Sequence, residues 1–173
     1  IDDAYAVGKI VAQKDSVYAL KLKKKKADDL PKDSLFILQL ATGKLEKIAR
    51  VKSFATPTGK GSWIAIHFEK EVAPKETPKD QSSSDSTKKV EKPKKTDGTK
   101  LLVRSLDGTK TWELDRVKSF SFAPNGDYLY FLLAEEEKQD NAALHLLDLT
   151  SGEQRLVHEK MTTYSRMAFS PQS

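Results

Sequence analysis

Val51-Lys52-Ser53-Phe54 recurs letter for letter at Val117-Lys118-Ser119-Phe120, inside two stretches that share one layout. Residues 35–68 read LFILQLATGKLEKIARVKSFATPTGKGSWIAIHF, and residues 101–133 read LLVRSLDGTKTWELDRVKSFSFAPNGDYLYFLL. A third copy, LHLLDLTSGEQRLVHEKMTTYSRMAFSP, occupies 144–171. The first two copies give a strand, a Gly turn, a strand, a Pro/Gly turn and a strand, and the third follows the same layout as far as Pro171. A chain repeating that unit builds stacked sheets.

The spacing selects blades. The two identical tetrapeptides lie 66 positions apart, with a polar tract at 72–96 between them. Removing the tract leaves about 41 residues, close to the period of four-stranded propeller blades, about 40–45 residues. The interval from Phe122-Ala123-Pro124 to Phe169-Ser170-Pro171 is 47. Leucine-rich and ankyrin arrays repeat faster and carry helical periodicity, which is read here as absent.

Local chemistry agrees. Trp63-Ile64-Ala65-Ile66-His67-Phe68 and Tyr128-Leu129-Tyr130-Phe131-Leu132-Leu133 are short apolar runs of the kind buried on both faces. Asn125-Gly126 favours the positive φ of a hairpin turn, and Thr42-Gly43, Asp107-Gly108 and Ser151-Gly152 serve one hairpin earlier. Tyr5-Ala6-Val7-Gly8-Lys9-Ile10-Val11 has the character of the same apolar strand.

The expected fold is therefore all-β: about two complete blade periods plus partial blades at both ends, as a fragment of a larger propeller. The layout is a partial blade at 1–20, a charged connector at 21–34, a blade at 35–71 and a disordered Lys/Pro/Ser insertion at 72–99. A blade at 100–142 and a partial blade at 143–173 complete it. A propeller needs about four blades to close, so open sheet edges and self-association of the isolated chain are expected.

Of the 173 residues, 38% are hydrophobic, enough for a core. No segment approaches the ~18 apolar residues of a membrane span. Cysteine is absent, which suits the cytoplasm or a compartment where unpaired thiols are a liability, and which excludes thiolate metal sites.

The net charge of +5 comes mainly from two tracts, Lys21-Leu22-Lys23-Lys24-Lys25-Lys26 and residues 69–99, the latter with eight lysines and seven acids. Lysine clusters can neutralise phosphates. Here arginine is scarce nearby and no aromatic residue is interleaved for base stacking, so solvated blade-edge loops are expected and nucleic acid is not. His67, His145 and His158 lack metal-ligand spacing, and His67 and His145 sit in apolar strands where a structural role is expected. Gly59-Lys60-Gly61-Ser62 resembles a phosphate loop in composition only, and reads as a hairpin. No G-x-S-x-G elbow occurs. No catalytic, cofactor-binding or metal residue is assigned. Glu135, Glu136 and Glu137 are the candidate substrate-binding residues, able to hold a peptide's amino terminus; the alternative, a solvated turn continued by Lys138-Gln139-Asp140-Asn141, is preferred.

The order Leu30-Pro31-Lys32-Asp33-Ser34-Leu35, strand, Thr42-Gly43-Lys44, VKSF, Gly61-Ser62-Trp63-Ile64-Ala65, lysine-rich insertion and Leu102-Val103-Arg104-Ser105-Leu106 resembles a family. It is similar to the N-terminal propeller of bacterial, Bacteroidetes-type, prolyl oligopeptidase family serine peptidases. Phe122-Ala123-Pro124-Asn125-Gly126-Asp127-Tyr128 is close to the F-S-P-D-G-x-W/Y blade motif, shared with WD-repeat-like and TolB-like propellers. The resemblance implies a periplasmic or secreted parent whose C-terminal α/β-hydrolase domain carries a Ser-His-Asp triad absent from this chain. The propeller would gate peptide access to it, with the hydrolase domain and the remaining blades as partners. The competing expectation is a TolB-like interaction scaffold with no enzyme attached.

Overall fold

The hydrogen bonding in the computed structural model, which describes residues 4–25, 29–59, 62–70, 98–134, 142–160 and 168–169, follows the repeat strand by strand. The elements are β1 (Tyr5–Ile10), α1 (Lys14–Leu22), β2 (Ser34–Gln39), β3 (Leu45–Ala49), β4 (Val51–Ala55) and β5 (Trp63–Phe68). They continue as β6 (Thr99–Ser105), β7 (Thr111–Phe122), β8 (Tyr128–Leu133), β9 (Ala142–Asp148) and β10 (Gln154–Lys160). All pairings are antiparallel between sequence neighbours. One sheet is β1-β2-β3, and the other runs from β4 to β10 in order.

The second sheet is two blades joined through one long strand. Residues 111–117 of β7 pair with β6, while residues 117–122 pair with β8. The hand-over falls at Arg116, whose φ is +59°. The same event separates β3 from β4 at Arg50, with φ +61°. Left-handed backbone is costly for a side chain bearing Cβ, so two arginines in that state at one repeat position mark a conformation the fold requires. The units are thus β4-β5-β6-β7 up to Arg116 and β7 from Val117 to β10, preceded by the three strands β1-β2-β3. The chain folds as consecutive blades of an all-β propeller.

The identical tetrapeptides are identical bulges. Register shifts between Val51 and Ser53 against β5, and between Val117 and Ser119 against β8, leaving Lys52 and Lys118 as the extra residues. A bulge sharpens strand twist. With Val51 opposite Phe68 and Val117 opposite Leu133, Trp63 and Tyr128 take equivalent places at the start of β5 and β8.

Alternation along β5 explains why its run is apolar throughout. Ile64, Ile66 and Phe68 join Leu35, Ile37 and Val51 in one core between this blade and β1-β2-β3. Ala65 and Trp63, on the opposite face, join Leu101, Val103, Leu129, Phe131 and Leu147 in a second core against the next blade. Strands covered on both sides have no face left for polar residues. An Arg104–Glu46 ion pair at 2.5 Å ties β6 to β3 across the first of these interfaces.

Three hairpins repeat to the hydrogen bond. Gln39, Ser105 and Asp148 N–H each donate to the carbonyl five residues on, Lys44, Lys110 and Glu153. Gly43, Gly108 and Gly152 supply φ of +67°, +79° and +79°. The loop 124–127 likewise places Gly126 at φ +80°, but closes from Ala123 to Tyr128, so it is a four-residue turn, longer than a two-residue Asn-Gly hairpin.

The expected absence of helix is corrected by α1. No residue of α1 is buried, and Tyr18 and Leu22 are 65% and 67% exposed. A helix that buries no stripe leaves no clear period in its sequence. It lies within the connection between β1 and β2, where Lys9 pairs with Asp33 at 2.7 Å and Asp33 accepts the Ala12 N–H at 2.9 Å.

Candidate functional site

In each antiparallel blade, the connection from second to third strand lies at the end where the fourth strand hands over to the next blade. Residues 11–33, 69–98 and 134–141 are those connections in three successive blades. Both charged tracts and the glutamate triplet therefore belong to connections that start and finish at the end carrying Arg50 and Arg116. The 72–96 tract, apart from its flanking anchors, and Glu135, Glu136 and Glu137 lie outside the described residues.

The anchors of those connections are closely held. Glu69 N–H donates to Arg50 O at 2.9 Å, and Ala134 N–H donates to Arg116 O at 2.8 Å, the same bond one blade on. Gly98 is buried with Arg116 O so near that a methyl group would overlap that carbonyl. Thr99 Oγ1 donates to Phe68 O at 2.7 Å.

Behind this end sits His67, 3% exposed. Its Nε2 lies 2.9 Å from Val117 O and 2.7 Å from Thr99 Oγ1. The carbonyl can only accept, and the threonine proton goes to Phe68 O, so Nε2 carries the hydrogen and shares it between them. Phe120 meets the ring edge-on with centroids 5.6 Å apart. Burial is the main cause holding the imidazole below its usual value, against the opposing pull of the Val117 bond. His67 thus clamps β5 to the bulge in β7. His145 stacks on Phe131 with centroids 5.2 Å apart and is also pushed down by burial. His158 is exposed on β10. The three histidines occupy separate settings.

At this end lies a cavity of about 690 Å³, whose lining includes Glu69, Lys70 and Gly98, the anchors of the 69–98 connection. Arg50 and Arg116 both line it, from successive blades, with Glu69 and Asp115 as acids and Phe68 and Leu102 as apolar wall. Arg50 Nη2 donates to Lys70 O at 2.7 Å, which fixes the guanidinium at the rim. Lys100 and Glu113 on the wall are paired at 2.6 Å. The arginines escaped the reading of the sequence, which stopped at VKSF; the identity begins one residue earlier, at Arg-Val-Lys-Ser-Phe.

The Gly59–Ser62 loop lies at the opposite end, connecting antiparallel β4 and β5. Gly59 N–H donates to Pro124 O at 2.8 Å, and Ser62 O accepts from Leu106 N–H at 2.7 Å. The first is a hairpin contact between neighbouring blades, and the second extends the β5–β6 ladder within one blade.

No protein-family model matches the chain. No curated protein sequence matches it. Among solved structures, an oligogalacturonate lyase in complex with manganese is similar with a TM-score of 0.47 and 15% identity, covering 92% of this chain and 39% of that one. A nidogen/laminin complex gives a TM-score of 0.33 and 14% identity over 73% of this chain and 40% of that one. The chain spans about two fifths of each of these neighbours.

Proposed function

We propose that the chain is the non-catalytic propeller portion of a periplasmic or secreted prolyl oligopeptidase-like serine peptidase. In that reading it gates peptide access to a Ser-His-Asp hydrolase domain carried elsewhere in the parent polypeptide. The parent chemistry is acyl transfer, with the serine attacking the peptide carbonyl and the histidine moving its proton. The supporting observation is the arrangement at one end of the blades. Three successive blades begin and end their second-to-third-strand connections at that end, which also carries a cavity lined by the repeated arginines. A propeller that acts as an entry filter needs one decorated end and stiff blades, and buried interfaces between the blades provide the stiffness.

Treating the full-length parent with a serine-reactive fluorophosphonate tests the reading. Covalent labelling, together with cleavage of short peptides and resistance of folded proteins, is the expected result. A parent that takes no label is an interaction scaffold, and one that cleaves folded proteins as readily as short peptides has no gate; either outcome overturns the proposal.

A further inference from the structure

We infer that the cavity flanked by Arg50 and Arg116 is a recognition site for the carboxylate of a peptide, with the adjoining apolar wall taking a neighbouring side chain. The inference rests on the peptide-access reading and names the ligand chemistry at that face.

Two features make this a built site. The arginines come from the same position of consecutive repeats, and each is fixed in left-handed backbone at the hand-over from one blade to the next, so their Cα positions are set by the sheets. Arginine presents a planar fork of donors matched to a carboxylate. Arg50 commits one donor to Lys70 O, which orients the plane. The volume of about 690 Å³ falls within the range of ligand pockets, about 300–1,000 Å³.

The charge pattern chooses among anions. Lys100 is neutralised by Glu113. Glu69 and Asp115 remain on the same wall as the arginines. Two acids beside the cations repel a polyanion such as a nucleic acid or an acidic saccharide, whose phosphates or carboxylates repeat every few ångströms. A single carboxylate followed by neutral or cationic groups suits the pattern, and Phe68 and Leu102 offer the surface for an apolar side chain. A peptide has both.

The test uses the complete chain and the peptide N-acetyl-Ala-Ala-Phe-Ala, prepared as the free acid and as the C-terminal amide, titrated by NMR chemical-shift changes. The acid binds about tenfold more tightly than the amide if charge-assisted hydrogen bonds hold its carboxylate. Arg50→Gly and Arg116→Gly each abolish that preference. Glycine is the substitution of choice because it accepts the positive φ at both positions, so the fold is retained while the guanidinium is removed. Equal binding of acid and amide, or a preference that survives both glycine variants, overturns the site. Heparin that binds more tightly than the acid peptide at the same ionic strength, and loses that binding in Arg50→Gly and Arg116→Gly, also overturns it, in favour of a polyanion surface. The two readings separate cleanly. Arginine-dependent acid preference in a parent inert to fluorophosphonate sustains the site and removes the hydrolase. A labelled parent with no acid preference does the reverse.

Discussion

His67 shows how one buried polar side chain sets both stability and its response to acid. Its ring is neutral in the folded chain, since burial holds its pKa below the usual 6.5. The unfolded chain therefore binds the extra proton first, and the stability His67 contributes is full above about pH 6.5 and lost as the pH falls toward its lowered value. His145, lowered by the same cause, acts in the same direction. Asp33, Asp107 and Asp148, lowered chiefly by hydrogen bonds, respond separately, below their usual 3.8. His67→Phe keeps a ring against Phe120 but leaves the Val117 carbonyl without its donor, costing about 1–3 kcal/mol near neutrality. Urea unfolding at pH 7.5 and 5.5 checks this: the gap between wild type and variant narrows at the lower pH. A gap that is constant or widens means the imidazole is not neutral in the fold. The structural role of His67 was legible because a lone histidine in an apolar strand has few other uses. The arginines were legible as a pair in the repeated Arg-Val-Lys-Ser-Phe, but not their meaning, which lies in a backbone φ that no side-chain pattern records.

At the scale of elements, the repeated turns were the most legible part of the chain. Four-residue hairpins impose a positive φ at their third or fourth loop residue, and only a few residue types accept it, so Gly43, Gly108, Gly126 and Gly152 stand out in the letters themselves. What the letters hide is what lies against each turn. Gly43 has open space around it, whereas a Cβ on Gly152 would sit 2.8 Å from Trp112 Nε1, beside the indole that packs on Trp63. Gly43→Ala should cost about 1 kcal/mol from left-handed backbone alone. Gly152→Ala carries the same conformational cost and must also displace Trp112, so it should lower the melting temperature further, with a change in tryptophan fluorescence that Gly43→Ala lacks. Equal losses with unchanged fluorescence would show that the indole yields freely. The helix α1 was illegible for the opposite reason. It buries nothing, and it lies mostly within residues 1–20, the stretch expected to be a partial blade.

The whole molecule is held by interfaces between blades, and this governs how it unfolds and associates. β5 contributes Ile66 to one core and Ala65 to the other, while Leu101 of β6 belongs to the second. Both Ile66 and Leu101 are fully buried. Each alanine replacement should cost about 2–5 kcal/mol through lost burial and the cavity left behind. Because a single strand serves both cores, either change should lower one shared unfolding transition in calorimetry; two separated transitions would mean that the β1-β2-β3 layer melts alone. The blade sequence itself was readable from alternation and turns, but its phase was not: the blades divide at Arg50 and Arg116, where the chain passes directly from one blade into the next. The outer strand β10 raises the final point. Among the described residues it has one strand neighbour, β9, and it exposes Leu156 and Val157 at 53% and 56%. An outer strand with exposed apolar side chains is a template for pairing with another chain. Its bulge, between Leu156 and His158, twists the edge but leaves both apolar residues in solvent. Sedimentation of the isolated chain across a dilution series should show an average mass that rises with concentration, and Leu156→Lys combined with Val157→Lys should suppress the rise without lowering the melting temperature, since neither side chain belongs to a core. A monomeric mass at every concentration would mean that the β10 edge is already covered, and a rise that persists in the double-lysine variant would place the contact on another surface of the blades.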